Sequence, residues 1–147
     1  MSNWLDTRPA NAVDLDAARG WLEEAGLPTA DLTPDHMNNF LVAAADGEPV
    51  GLIGLEQFGN VGLLRSLVVD PSVRSGGVGR QLVAALEAKA TGLGITELWL
   101  LTIDADPYFS RLDYVVTERT AVPVAIQSTA EFSSLCPGDA VLMRKKF

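Results

Sequence analysis

The residues best suited to chemistry lie in the run Arg74-Ser75-Gly76-Gly77-Val78-Gly79-Arg80. An apolar stretch, Leu67-Val68-Val69, precedes it. A segment with helical periodicity follows, with Val78, Leu82, Ala85, Leu86 and Ala90 on one side. A strand that passes through a glycine-rich turn into a helix is an anion cradle. The first amides of a helix have no partner inside it. The helix dipole places about half a positive charge there. Glycines let the backbone approach a phosphate closely and adopt positive φ. Together these features suit a phosphate or a pyrophosphate. Two common phosphate motifs are excluded. A P-loop needs a lysine followed by serine or threonine, and the chain has no such pair. A dinucleotide fingerprint built on Gly77 and Gly79 needs a glycine where Leu82 stands.

The elements that must position this turn follow from pattern. Residues 5–9 read as a short strand. Asp14 is a plausible N-cap, and Leu15, Ala18, Leu22 and Ala25 then fall on one helical face. Gly26 and Pro28 end that helix. Thr33-Pro34 suggests a further helical turn over 33–38. Strands over 40–45 and 49–58 flank Asp46-Gly47, a hairpin signal. A turn at Gly59-Asn60 leads into a strand over 63–69, completing an antiparallel meander that Asp70-Pro71 stops. After the cradle helix, closed by Gly92 and Gly94, a strand over 98–103 is apolar enough to be buried on both faces. A short helix over 105–112, a strand over 114–118, a helix over 124–133 and a strand over 140–145 complete the chain. The order predicts an α/β fold with a mixed sheet of six to seven strands and helices on both faces.

Composition narrows the function classes. The 147 residues suit one domain, residues 1–147. With 48% apolar and 20% charged residues, the sequence is that of a globular chain with a core of its own. No apolar run approaches the roughly 20 residues that span a bilayer, so no membrane association is expected. Eleven basic and nineteen acidic residues give a net charge of −8, which repels nucleic-acid phosphates at long range. A small anion held by local arginines and amides is compatible with that charge. The lone cysteine, Cys136, and the lone histidine, His36, make neither an internal disulfide nor an imidazole metal site, and no metal is expected. The N-terminal residues lack the basic and apolar regions of a signal peptide, so a cytoplasmic location is expected.

The strand, the pattern Arg74-x-x-Gly77-x-Gly79 and the helix resemble the signature of the GCN5-related N-acetyltransferases (GNAT), and the element order along the chain agrees. The resemblance implies acetyl-CoA as acyl donor, with direct transfer to an amine. It implies that the backbone from Arg74 through Ser75, Gly76, Gly77, Val78 and Gly79 to Arg80 holds the CoA pyrophosphate. The strand carrying Leu67 and Val69 would splay from the one carrying Thr102, leaving a gap for the pantetheine arm. A second family pattern, N-x-x-A-x-x-F-Y-x-x-x-G-F, is matched at Ala105, Tyr108, Leu112 and Tyr114. It departs at Thr102, Phe109 and Asp113, which stand for the asparagine, the tyrosine and the glycine. Phe109 cannot protonate a departing thiolate, which leaves Tyr108, Ser110 or water. A thiol that titrates near 8.5 leaves without a strong acid. Within the family, residues 63–69 and 125–137 are similar to acetyltransferases of bacterial arsenic-resistance operons, the ArsN type. The Arg65-Ser66 pair is also similar to enzymes that acetylate amino acids. Dimers are frequent in the superfamily, so a homodimer is a further expectation.

An acceptor amine must lose a proton, and Glu56, on the strand beside the cofactor strand, is the expected base. The alternative is a solvent-exposed strand glutamate. Arg65 is expected to grip a substrate carboxylate bidentately, or else to be an exposed charge or to sit in an internal salt bridge. Simple alternation puts Arg65 on one face with Leu63, Leu67 and Val69. The acceptor is expected to be a small carboxylate-bearing amine, an amino acid or an organoarsenical analogue. A non-catalytic acyl-CoA sensor and a protein acetyltransferase are the alternatives.

Overall fold

One mixed sheet organises the computed structural model, which describes residues 5–10, 15–24, 39–45, 48–70, 77–102, 105–127 and 140–147. Its elements in chain order are β1 (Leu5–Pro9), α1 (Leu15–Glu24), β2 (Phe40–Ala45), β3 (Glu48–Phe58), β4 (Val61–Val69), α2 (Val78–Gly92), β5 (Glu97–Thr102), α3 (Asp106–Ser110), β6 (Val115–Val116), a 3-10 turn (Arg119–Ala121), α4 (Val124–Gln127) and β7 (Val141–Lys146). The seven strands lie in the order β1-β2-β3-β4-β5-β7-β6. Every pairing is antiparallel except that of β4 with β5. This is the α/β architecture expected from the pattern. The periodicity overestimates α3 and β6. α3 ends at Ser110 and β6 has only two residues. α4 is four residues long, and 128–139 lie outside the described residues. So do the Asp46-Gly47 turn and the turn over 33–38.

Three apolar clusters fix the layers. On one face α2 lays Val78, Leu82, Val83, Leu86 and Ala90 against Ile53, Leu55, Leu64, Leu98 and Leu100, with Phe109 of α3 at the margin. On the other face Leu22 of α1 packs on Phe40, Val42, Leu52 and Val68. Beside it Ile126 of α4 covers Leu63, Trp99 and Leu142. Helices therefore cover both faces. Among the described residues no helix is long and apolar enough to cross a membrane.

β4 departs from simple alternation. Leu52 pairs with Val68 and Gly54 with Arg65, so Ile53 stands opposite two residues, Ser66 and Leu67. This is a β-bulge, and Ser66 holds it with φ 62°. A single extra residue inverts every side chain after it. Leu63 and Arg65 keep to the α1–α4 face, and Val68 joins that face. Leu67 and Val69 turn to the α2 face. The expected grouping of Arg65 with Leu67 and Val69 is thus corrected, because alternation cannot see a bulge. The bulge also marks the end of the parallel pairing. The β4–β5 ladder holds Val61↔Glu97, Gly62↔Leu98 and Leu63↔Trp99 and no later pair. β5 continues to Thr102 against β7 alone. The expected splay between β4 and β5 is present.

Opposite the bulge, the Phe40 ring lies flat against Gly54. A Cβ added at Gly54 would come within 2.3 Å of that ring. Substituting Gly54→Ala should cost about 3 kcal/mol through this overpacking, read from urea unfolding midpoints at unchanged slope.

Candidate active site

The gap between β4 and β5 opens toward the N-terminus of α2. Gly77 is the N-cap, with φ 79° and ψ 12°, a left-handed conformation that glycine adopts without steric cost. It has no side chain with which to cap the first amides. Space is open where its Cβ would stand. Val78 is buried in the core and anchors the first turn, while Arg80 is exposed at its edge. Gly79 faces α3, and a Cβ there would lie 2.7 Å from Tyr108 Oη. The two glycines shape the start of α2 differently. One leaves the helix start open, and the other makes room for a tyrosine hydroxyl. Arg74, Ser75 and Gly76 lie outside the described residues.

Tyr108 is half-buried on α3. Burial pushes its hydroxyl above the ordinary value of 10.0, opposed by the positive charges of Arg80 and then Arg111. The hydroxyl therefore stays protonated at neutral pH and acts as a donor. Arg111 was not singled out from the sequence. It lies three residues after Tyr108, one helical turn on, and that spacing was the only signal for it.

Leu67 and Val69 are half-buried on the α2 face of the splayed part of β4. Thr102 ends β5, and its Oγ1 accepts the Ala105 amide at 3.0 Å, so the hydroxyl starts α3. Glu56 and Arg65 are brought together. Arg65 Nη1 donates to Glu56 Oε2 at 2.8 Å, and Arg65 Nε donates to Ser66 Oγ at 3.0 Å. The Arg65 side chain has no exposed surface, and that of Glu56 is 17% exposed. Of the readings of Arg65, the exposed charge is not found and the internal salt bridge is.

The sequence matches the Acetyltransferase (GNAT) family over residues 4–112. The chain belongs to this family. A relative is the amino-acid acetyltransferase of Neisseria meningitidis serogroup A, 27% identical over 107 residues, which are 69% of this chain and 24% of the relative. The chain thus spans about a quarter of that relative's length. The N-acetylglutamate synthase of Neisseria gonorrhoeae, solved with coenzyme A and N-acetyl-glutamate, superposes with a TM-score of 0.84 at 21% identity, over 97% of this chain and 35% of that one. Rv2747 of Mycobacterium tuberculosis, solved with CoA and NLQ, gives 0.81 at 21% identity, over 97% and 99%. The two superpositions concern the fold.

Two departures from the GNAT pattern now have physical accounts. Asp113 stands at the glycine position with φ 74°, a conformation that aspartate tolerates better than most side chains. Phe109 is buried and stacked edge-on between Tyr108, at 5.3 Å, and Tyr114, at 5.7 Å. It serves the core of the GNAT domain.

Behind the site, Tyr114 Oη donates to Glu87 Oε2 at 3.0 Å. Lys145 Nζ reaches the same carboxylate at 3.1 Å and the Leu112 carbonyl at 3.1 Å. Burial, and then the Glu87 carboxylate beside it, push the Tyr114 hydroxyl far above its ordinary value of 10.0. The raised value means that the stability this neutral phenol contributes is complete below pH 10 and is lost as pH rises toward the folded-state value. Urea unfolding from about pH 9 to about pH 11 should therefore show falling stability. Tyr114→Phe should flatten that fall and cost about 1–2 kcal/mol at neutral pH, where the hydrogen bond is intact.

Proposed function

We propose that this chain is an acetyl-CoA-dependent N-acetyltransferase that acetylates the amine of a small, carboxylate-bearing molecule by direct transfer. The observation that carries the proposal is the parting of β4 from β5 after Leu63↔Trp99, in front of a helix start opened by Gly77. Membership of the GNAT family and the names of the relatives support the chemistry and the class of acceptor.

Acetyl-CoA, when bound, supplies a thioester whose acyl carbon is open to an amine. The amides of the first turn of α2, together with Arg74 and Arg80, are the proposed hold on its pyrophosphate. The backbone at Leu67 and Val69 is the proposed edge along the pantetheine arm. As the acceptor nitrogen forms its bond to carbon, it gives up a proton. Glu56 is the proposed base, one strand from the cleft and partly open to solvent. Tyr108 is proposed to donate its hydroxyl hydrogen bond to the acyl donor at the cradle. This assignment rests on the position of Tyr108 Oη over Gly79. The same role leaves the departing thiol, a fair leaving group, to be protonated from water.

Acetyl-CoA at about 100 times its dissociation constant should stabilise the chain by about 2.7 kcal/mol, a shift of several degrees in thermal unfolding. Gly79→Asp places a negative side chain against Tyr108 and the pyrophosphate, and should abolish the shift. Absence of a shift for the unmodified chain at millimolar acetyl-CoA would sink the proposal. Turnover is then followed as CoA release on a panel of amino acids. The panel includes an organoarsenical amino-acid analogue, because residues 63–69 resemble the ArsN type. Tyr108→Phe should raise KM for acetyl-CoA about tenfold with little change in kcat, the loss expected of one hydrogen bond to a charged group.

Phe109, which has no hydroxyl to protonate a thiolate, favours a second reading, an acyl-CoA sensor without catalysis. It predicts the same thermal shift with no CoA release on any amine of the panel.

A further inference from the structure

Arg65 is a charged residue in an apolar setting. Its cross-strand partner Gly54 packs on Phe40, and Leu63, two residues before it on β4, lies in the cluster with Trp99 and Ile126. An ionised group in such a place must be paired and hydrogen-bonded. Two of its hydrogen bonds differ in kind. Nη1 holds Glu56 across the β3–β4 ladder, and Nε holds Ser66, the bulge residue at φ 62°. Serine is uncommon in that conformation, and the hydrogen bond to Oγ is a local reason for it to stay there. A guanidinium is planar and rigid, so its Nε and Nη1 hydrogens have a fixed relation. Fixing the bulge therefore fixes Glu56. The bulge, in turn, sends Leu67 and Val69 to the α2 face just beyond the last β4–β5 pair. Without it, the strand would resume alternation and those residues would face the other way.

We propose that Arg65 is the positioning residue of the site: one buried guanidinium sets the Glu56 carboxylate and the Ser66 bulge in a fixed relation. A direct grip on a substrate carboxylate would need access to a side chain that has no exposed surface, or displacement of Glu56. The Glu56 half rests on the acetyltransferase reading above, whereas the bulge half is independent of it.

The test uses the full chain and the variants Arg65→Lys, Arg65→Gln, Ser66→Ala, Glu56→Gln and the double variant Glu56→Gln, Arg65→Lys. The acceptors are L-glutamate, its α-amide and L-glutamine. A lysine keeps the charge but lacks the fork that reaches both partners. Arg65→Lys should therefore lower kcat about tenfold or more for every acceptor the wild type uses, with KM for each acceptor changed less than about threefold. The double variant should be no worse than the worse single one, since both act through the same carboxylate. Arg65→Gln should lose more than Arg65→Lys. If Arg65→Gln fails to fold, the lysine and Ser66→Ala variants carry the comparison. The proposal is overturned if Arg65→Lys raises KM about tenfold for L-glutamate while kcat and one amide's KM stay put, because that marks a substrate grip. Unchanged kcat overturns it equally. A wild type that neither binds acetyl-CoA nor releases CoA defeats the acetyltransferase reading instead. The bulge half is then decided by amide hydrogen exchange in β4. Exchange at Leu67 and Val69 should quicken in Arg65→Lys and Ser66→Ala, and exchange equal to wild type refutes it.

Discussion

A buried arginine between two strands is costly unless its partners are close and well aimed. The Arg65–Glu56 pair meets that condition at 2.8 Å, and Ser66 provides the second anchor. The rest of the site is arranged around this point. The sheet is continuous from β1 through β4. It becomes discontinuous where β4 bulges and its pairing with β5 stops at Leu63↔Trp99. On one side of the break lies the carboxylate held by Arg65. On the other lie Leu67, Val69 and the start of α2.

The electrostatics are local. A chain of net charge −8 does not attract anions as a whole. The α2 start nevertheless combines amides that have no partner inside the helix with Arg80, and Arg111 is close enough to act on Tyr108 as well. The second side of this cradle comes from α3. Its hydroxyl can approach only because Gly79 has no side chain. The Glu87–Tyr114–Lys145 cluster ties α2 to the chain after α3 and to β7. The two walls of the cradle thus share one foundation.

Much of this was legible in the sequence, and what was not has definite causes. The glycine spacing Gly77-x-Gly79 after an apolar strand marked the start of α2. The antiparallel meander followed from the turn at Gly59-Asn60 and from apolar runs, whereas the place of β7 between β5 and β6 was not legible. The face of Leu67 and Val69 was not legible, since a period-two pattern carries no sign of an inserted residue. Serine at a left-handed position is equally silent, because its type does not demand that conformation. The lengths of α3 and β6 were overestimated because tertiary packing, not propensity, ends short elements. Asp113 looked like a loss of the family glycine. Its φ of 74° shows the backbone requirement intact with a different residue meeting it. At the site, Glu56 and Arg65 could each be named as charged residues near the cleft, but their mutual pairing depends on a cross-strand register that the sequence alone does not fix.

The outer strands of the sheet carry a separate consequence. β6 presents only two residues, Val115 and Val116, 56% and 62% exposed, and β1 ends at Pro9, which lacks an amide hydrogen. Exposed valines on a longer border would template the addition of foreign strands. Here one margin is too short to nucleate a ladder and the other is interrupted by an imino acid. Seven strands can therefore stand side by side with little invitation to cross-β growth.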